Sequence, residues 1–221
     1  NDKCSKERIY HILVGGMPNF SRQAITSVSL ILLNRVAASF GDSIIAALTV
    51  SSRTVAIAYM IMIGWGQGFQ PICAMNYGAK KYKRVKTAYT FAIKCGFALA
   101  IVAFLLFQLA PRQIISIFGD GSEEYYTFAI NYFHIFLFFT FINFMQPITS
   151  NFFTSIGKPK IGTFLSLTRQ IIFLLPLLIV IPLFIGIDGV MYSGPIADFF
   201  AGVICAVMVV KEFRKDIYLE K

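Results

Sequence analysis

Charge is scarce in this chain, and acid is scarcer. Charged residues make up 14% of 221 positions, against about 25% in a typical soluble domain. Such scarcity excludes an ordinary soluble domain, because a buried core accounts for one long apolar run but not for a series of them. Frameworks for metal or redox chemistry are also missing. Cys4, Cys73, Cys95 and Cys205 form no CxxC pair, so neither a zinc site nor a disulfide framework is expected. Three of these cysteines lie in or beside apolar runs and read as small buried hydrophobes. HExxH motifs, Ser/His/Asp constellations and paired carboxylates are absent, so no catalytic role, metal site or bound cofactor is expected. Residues 1–8 are polar, there is no initiator Met, and the first apolar run is too long for a signal h-region. No cleavable signal is therefore expected, and the chain reads as a segment of something longer.

What the sequence has in abundance is long apolar runs. Hydrophobic residues make up 57%, and the mean hydropathy is +0.68. Six runs stand out: Ile9–Phe40, Ile44–Met75, Thr87–Leu109, Tyr125–Ile156, Ile161–Ile187 and Val190–Val210. Each reaches the roughly 20 residues a helix needs to cross a bilayer. Since lipid leaves no backbone group a partner outside the helix, each run is expected to be helical. The fold class predicted is an all-α membrane protein, a single six-helix transmembrane lobe over residues 1–221.

The net charge of +9 invites a nucleic-acid partner, but its distribution argues against one. Basic residues cluster before the first run (Lys3, Lys6, Arg8), after the second (Lys80, Lys81, Lys83, Arg84, Lys86), after the fourth (Lys158, Lys160) and after the sixth (Lys211, Arg214, Lys215, Lys221). The other gaps hold Asp42, then Asp120, Glu123 and Glu124, then Asp188, with Arg112 as their only cation. Cytoplasmic loops carry the Lys/Arg excess. A multi-pass plasma-membrane protein with both termini cytoplasmic follows, and the Lys80–Lys86 cluster reads as an anchor facing anionic lipid.

Loops such as Gly41–Ser43, Gly157–Lys160 and Asp188–Gly189 leave room for little more than a turn, so successive helices are expected to be antiparallel neighbours. Ala110–Glu124 reads as a short interfacial segment followed by a turn. Runs of about 32 residues extend roughly 48 Å as helix, longer than the membrane core, and so must tilt, kink or protrude. Kink sites are available at Pro18, Pro71, Pro147, Pro176, Pro182 and Pro195. Gly64 and Gly68 bracket Trp65-Gly66-Gln67 in small-xxx-small spacing, which predicts close helix packing rather than a phosphate loop.

Polar groups within the runs are few and therefore informative. Asn19, Gln23, Thr26 and Asn34 share a face of the first run, and Asn143, Gln146, Ser150 and Thr154 share one of the fourth. Gly64, Gln67, Gly68 and Pro71 align in the second. These stripes face either a water-filled cavity or a neighbouring helix; Gln23, Gln67, Asn143 and Gln146 are the candidates for lining a substrate cavity. Asp198 is the only acid inside any run, while Arg22, Arg53 and Arg169 sit deep within runs. A carboxylate there either takes a proton or pairs with an arginine. Asp198 with Arg169 and Arg22 is thus the candidate charged network, either coupling ion movement to transport or fixing the sixth helix in place. His134 reads as a hydrogen-bonded packing residue.

Several motifs, taken in order, resemble a known family. They are Gly16-Met-Pro-Asn-Phe-Ser-Arg-Gln23, Gly64-Trp-Gly-Gln-Gly-Phe-Gln-Pro71, Asn76-Tyr-Gly-Ala79, Phe152-Phe-Thr-Ser-Ile-Gly-Lys-Pro-Lys160, Ser166-Leu-Thr-Arg-Gln170 and Pro195-Ile-Ala-Asp198. The ensemble resembles the second half of bacterial multidrug and toxic compound extrusion (MATE) transporters. That resemblance implies a twelve-helix antiporter of two six-helix lobes, of which this chain is the C-terminal one. It further implies an N-terminal half as partner, export of small cationic or amphipathic drugs, and H⁺ or Na⁺ as coupling ion. Some members carry acidic cation-binding residues in the first and fourth helices of this lobe. Here those two runs hold no acid, which leaves coupling to Asp198 or to carboxylates of the missing lobe. Two alternatives stay open from sequence: a lipid-linked precursor flippase of the same superfamily, and a six-helix scaffold without transport.

Overall fold

The computed structural model describes residues 6–38, 42–117, 122–186 and 188–214; at 6–8, 11, 18, 19, 22, 32, 33, 36–38, 42–44, 124 and 140 it describes backbone only. Helices follow one another throughout, and no strand occurs among the described residues. In chain order they are α1 (Lys6–Ala38), α2 (Asp42–Gly78), α3 (Tyr82–Leu109), α4 (Pro111–Ser116), α5 (Glu123–Phe136), α6 (Thr140–Asn143), α7 (Met145–Ser155), α8 (Pro159–Leu167), a π-helical stretch (Thr168–Leu174), α9 (Leu175–Ile185) and α10 (Asp188–Phe213). Their ends follow from local chemistry. Lys80, Gly157 and Gly186 take positive φ just past α2, α7 and α9, the left-handed stop that ends many helices. Pro111 and Pro159 open α4 and α8, where a missing N–H is harmless. The hydroxyl of Ser122 caps α5 by accepting from the Tyr125 N–H at 3.2 Å.

α2 runs along α3, α5 and α7; α1 lies on α8, and α10 packs on α9, the π stretch and α5. Two apolar cores result. One, toward the acidic end of the bundle, joins Leu48, Ile115, Phe133, Leu137, Leu178 and Val190. The other, toward the basic end, joins Phe69, Tyr89, Phe144, Phe152, Leu165 and Cys205. Helices approach closely where glycine allows it: a Cβ added at Gly194 would stand 2.6 Å from the Phe136 ring. At the basic end, the ammonium of Lys158, in the α7–α8 turn, donates to the buried carboxylate of Glu212 on α10.

The helices track the six apolar runs, and differ from the expectation in where they bend and which faces pack. Among the described residues, four segments are by length and composition apolar enough to cross a membrane: Ile45–Gly78, Tyr82–Leu109, Pro159–Ile185 and Asp188–Phe213. A fifth is added if the bent pair Tyr125–Phe136 and Phe141–Ser155 is one span. α1 is long enough at 33 residues but is the least apolar of the long helices, with Gln23, Asn34 and Arg35 exposed. The fourth run is not one helix. It turns at residues 137–139 and bends by 43°, upstream of the expected Pro147 kink. Prolines 71 and 195 sit inside unbroken helices, and α1 continues through Pro18, whose side chain lies outside the described ones. The Gly64/Gly68 packing face is also displaced. Both glycines are open, with nothing within 4 Å of an added Cβ, and Gly66 is the one against α7, facing Ile148 and Asn151. Gly66 stands two residues from either Gly64 or Gly68, a rotation of about 200°, so it faces the opposite side of the helix.

Gly194→Val should therefore lower stability by about 1–3 kcal/mol through overpacking against Phe136. Gly64→Ala should be neutral or stabilising by up to about 1 kcal/mol. Thermal melts of the detergent-solubilised chain check the pair; equal effects would refute the assigned faces.

Candidate functional site

Between the two cores lies a polar layer. On each contributing segment its residue falls between contributions to the two cores: Tyr59 between Val55 and Met62 on α2, Asn143 between Leu137 and Ile148, Arg169 between Leu165 and Leu174, Asp198 between Val190 and Cys205 on α10. The Arg169 guanidinium Nε donates to Asp198 Oδ1. Asp198 is 1% exposed and Arg169 9%. The Asn143 carboxamide donates to the Tyr59 hydroxyl and also reaches the Asp198 carboxylate. Tyr132 on α5, bonded to Ser52, faces the same pair of charges. Five segments thus converge on one buried ion pair. Two charges withdrawn from water survive only when paired and hydrogen-bonded, and removing one partner strands the other.

The π-helical stretch places Arg169. Pro176, just beyond it, has no N–H for the Ile172 carbonyl, and its ring crowds that carbonyl. A π turn, with i→i+5 bonding, adds a residue and relieves the crowding, a device frequent at functional sites. Gln146 supports it from α7, its amide donating to the carbonyls of Leu165 at 2.7 Å and Ser166 at 3.1 Å. Gln170, next to Arg169, donates at 3.2 Å to the Thr26 hydroxyl on α1. Its side-chain oxygen Oε1 is buried with no hydrogen-bond partner among the described residues.

The sequence candidates divide into three groups. Asp198 and Arg169 come together as expected. Arg22 is not seen in that network: its side chain lies outside the described ones. Gln23 and Gln67 are exposed. Asn143 and Gln146, read as cavity-lining candidates, are instead buried inside the lobe with their amides engaged on α2 and α8. Ser150 likewise donates to the Gly162 carbonyl at 2.8 Å, so the stripe on the fourth run joins helices. His134 packs through mutual bonds with Gln108 at 3.2 Å, each side chain meeting the other's backbone carbonyl. Sequence reasoning missed Tyr59 and Tyr132, because a tyrosine inside an apolar run scores as apolar. The available signal was a hydroxyl at the depth of Asp198. It also missed Glu212, an acid among end-of-run cations.

Charge held at mid-depth within an all-helical apolar bundle defines a polytopic membrane protein. A family model, MatE, matches residues 18–180, and the chain belongs to this family. Multidrug export protein MepA of Staphylococcus saprophyticus is 23% identical over 98% of this chain and 47% of its own length. An outward-facing multidrug resistance MATE family transporter of the MOP superfamily superposes with a TM-score of 0.86 at 20% identity, over 95% of this chain and 48% of that one. The MATE multidrug transporter DinF-BH gives 0.84 at 30% identity over 96% and 47%. The chain spans about half the length of the curated relatives it matches.

Arg169→Leu should cost about 3–5 kcal/mol by stranding Asp198, whereas Arg169→Leu with Asp198→Leu should recover most of that loss. Melting of the single and double variants checks this. A double variant no better than the single would show that the charges do not act as a pair.

Proposed function

We propose that this chain is the C-terminal six-helix half of a secondary antiporter. The whole would export small cationic or amphipathic drug-like compounds against inward flow of H⁺ or Na⁺. In this reading an N-terminal six-helix half completes the transporter, in a bacterial plasma membrane with both termini cytoplasmic. The observation that carries it is the polar edge of α2. Arg53 and Gln67 are both exposed on a spanning helix and, fourteen residues apart, lie within about 40° of one face. Hydrocarbon offers such groups nothing, so a second protein half or a watered cavity must meet them. Gln23, exposed on the neighbouring α1, would join that lining. The half-length match to MepA supports the missing partner, and the Lys/Arg bias of the Lys80–Lys86 turn supports the orientation.

Asp198 and Arg169 carry the coupling in this proposal. The carboxylate would exchange its guanidinium partner for the coupling cation as the π stretch and α10 shift. Asp198→Asn in the two-half protein, reconstituted in proteoliposomes, should reduce gradient-driven efflux of ethidium, a flat aromatic cation, by about tenfold, the scale of a site-to-site coupling energy. H⁺ and Na⁺ gradients imposed separately identify the ion. Undiminished efflux, with normal amounts of protein, would make the pair structural. For orientation, a cysteine placed by Lys83→Cys should react with a membrane-impermeant maleimide only after permeabilisation; labelling of intact cells would invert the topology.

A further inference from the structure

A second feature of α2 lies around the helix from its polar edge. A cavity of about 540 Å³ opens between α2 and α3, lined by Ile61, Gly64, Gly68, Ile72, Phe91 and Leu99, with Trp65 beside them. The open glycines make the space, while the Trp65 indole N–H, donating to the Ala92 carbonyl at 3.0 Å, pins the two helices at its floor. Residues 61–72 give the groove a length of about 16 Å at the helical rise, enough for most of an extended acyl chain. Its line continues toward the α2–α3 turn. Arg84 lies one helical turn from the lining residue Ala88, and Lys81, three residues further back, immediately precedes α3. Both cations are exposed, and neither has an ion pair among the described residues. No side chain caps the first turn of α3, and no acid occupies it, so its free N–H groups add to the positive field. By contrast, Lys158 is engaged by Glu212, and Lys86 sits over the Phe213 ring at 6.0 Å.

We infer that the α2–α3 hairpin binds one anionic phospholipid, its phosphate held by Lys81 and Arg84 and one acyl chain seated in the Gly64/Gly68 groove. Charge complementarity selects the occupant. The groove is apolar, lies on two membrane-spanning helices, and ends at the densest cluster of cations in the chain. A polar ligand or an extended peptide would leave its polar groups unsatisfied along those walls. This inference rests on the transporter reading only in taking the chain to lie in a bilayer, and its test involves no transport.

Trp65 is the only tryptophan in the chain and a lining residue of the groove, so bromine on a bound acyl chain would quench it. The 221-residue chain is reconstituted in mixtures of phosphatidylglycerol and phosphatidylcholine, with one or the other brominated. Quenching should report a preference for phosphatidylglycerol of about fivefold or more per engaged cation. Lys81→Ala with Arg84→Ala should abolish the preference while quenching itself persists. Gly68→Leu should reduce quenching by both lipids, with Gly64→Leu as its substitute if the first variant does not insert. Equal quenching by the two lipids in the native chain would overturn the proposal, as would a preference that survives the double alanine variant. Absence of quenching by either lipid would also overturn it and give the groove to protein.

Discussion

Arg169 and Asp198 form the contact around which this lobe is arranged. Two opposite charges at mid-depth in an apolar bundle are tolerable only together, so the π-helical stretch and α10 cannot part without stranding one of them. Asn143 ties the pair to Tyr59 on α2, and Tyr132 brings in α5. The two apolar cores on either side exclude water from the layer. They also make rupture of the pair expensive, which fits the coupling role proposed for it.

Departures from regular helix gather near this layer. The fourth run turns at residues 137–139 and resumes at α6, which delivers Asn143; the fifth adopts π geometry where it delivers Arg169. Gln146 spends its amide on the carbonyls just ahead of the π stretch. The prolines in α2 and α10 leave those helices continuous. Leu137, Thr168, Arg169 and Gln170 within these departures are buried in protein, where irregular backbone at membrane depth is admissible.

α2 serves three environments from one cylinder. Gly66 packs on α7 inside the lobe, Arg53 and Gln67 point away from it, and Gly64 and Gly68 open the groove beside α3. A helix in water would bury one stripe and solvate the rest. A helix at the junction of core, polar edge and lipid carries a different chemistry on each side.

Much of this was legible in the residues themselves. Sparse charge and long apolar runs determined a helical membrane protein, because lipid admits little else. Asp198, the lone acid within a run, announced a buried charge needing a partner. Choosing Arg169 from three arginines required the tertiary structure, since pairing depends on how separate helices rotate against one another. The same holds for the glycines, where a two-residue offset put Gly66 rather than Gly64 and Gly68 on the packing surface, and for Asn143 and Gln146, whose amides turned inward to bind other segments. Composition along one chain decides what must avoid lipid; only the packing of helices decides which group meets which, because that contact is made by residues far apart in sequence.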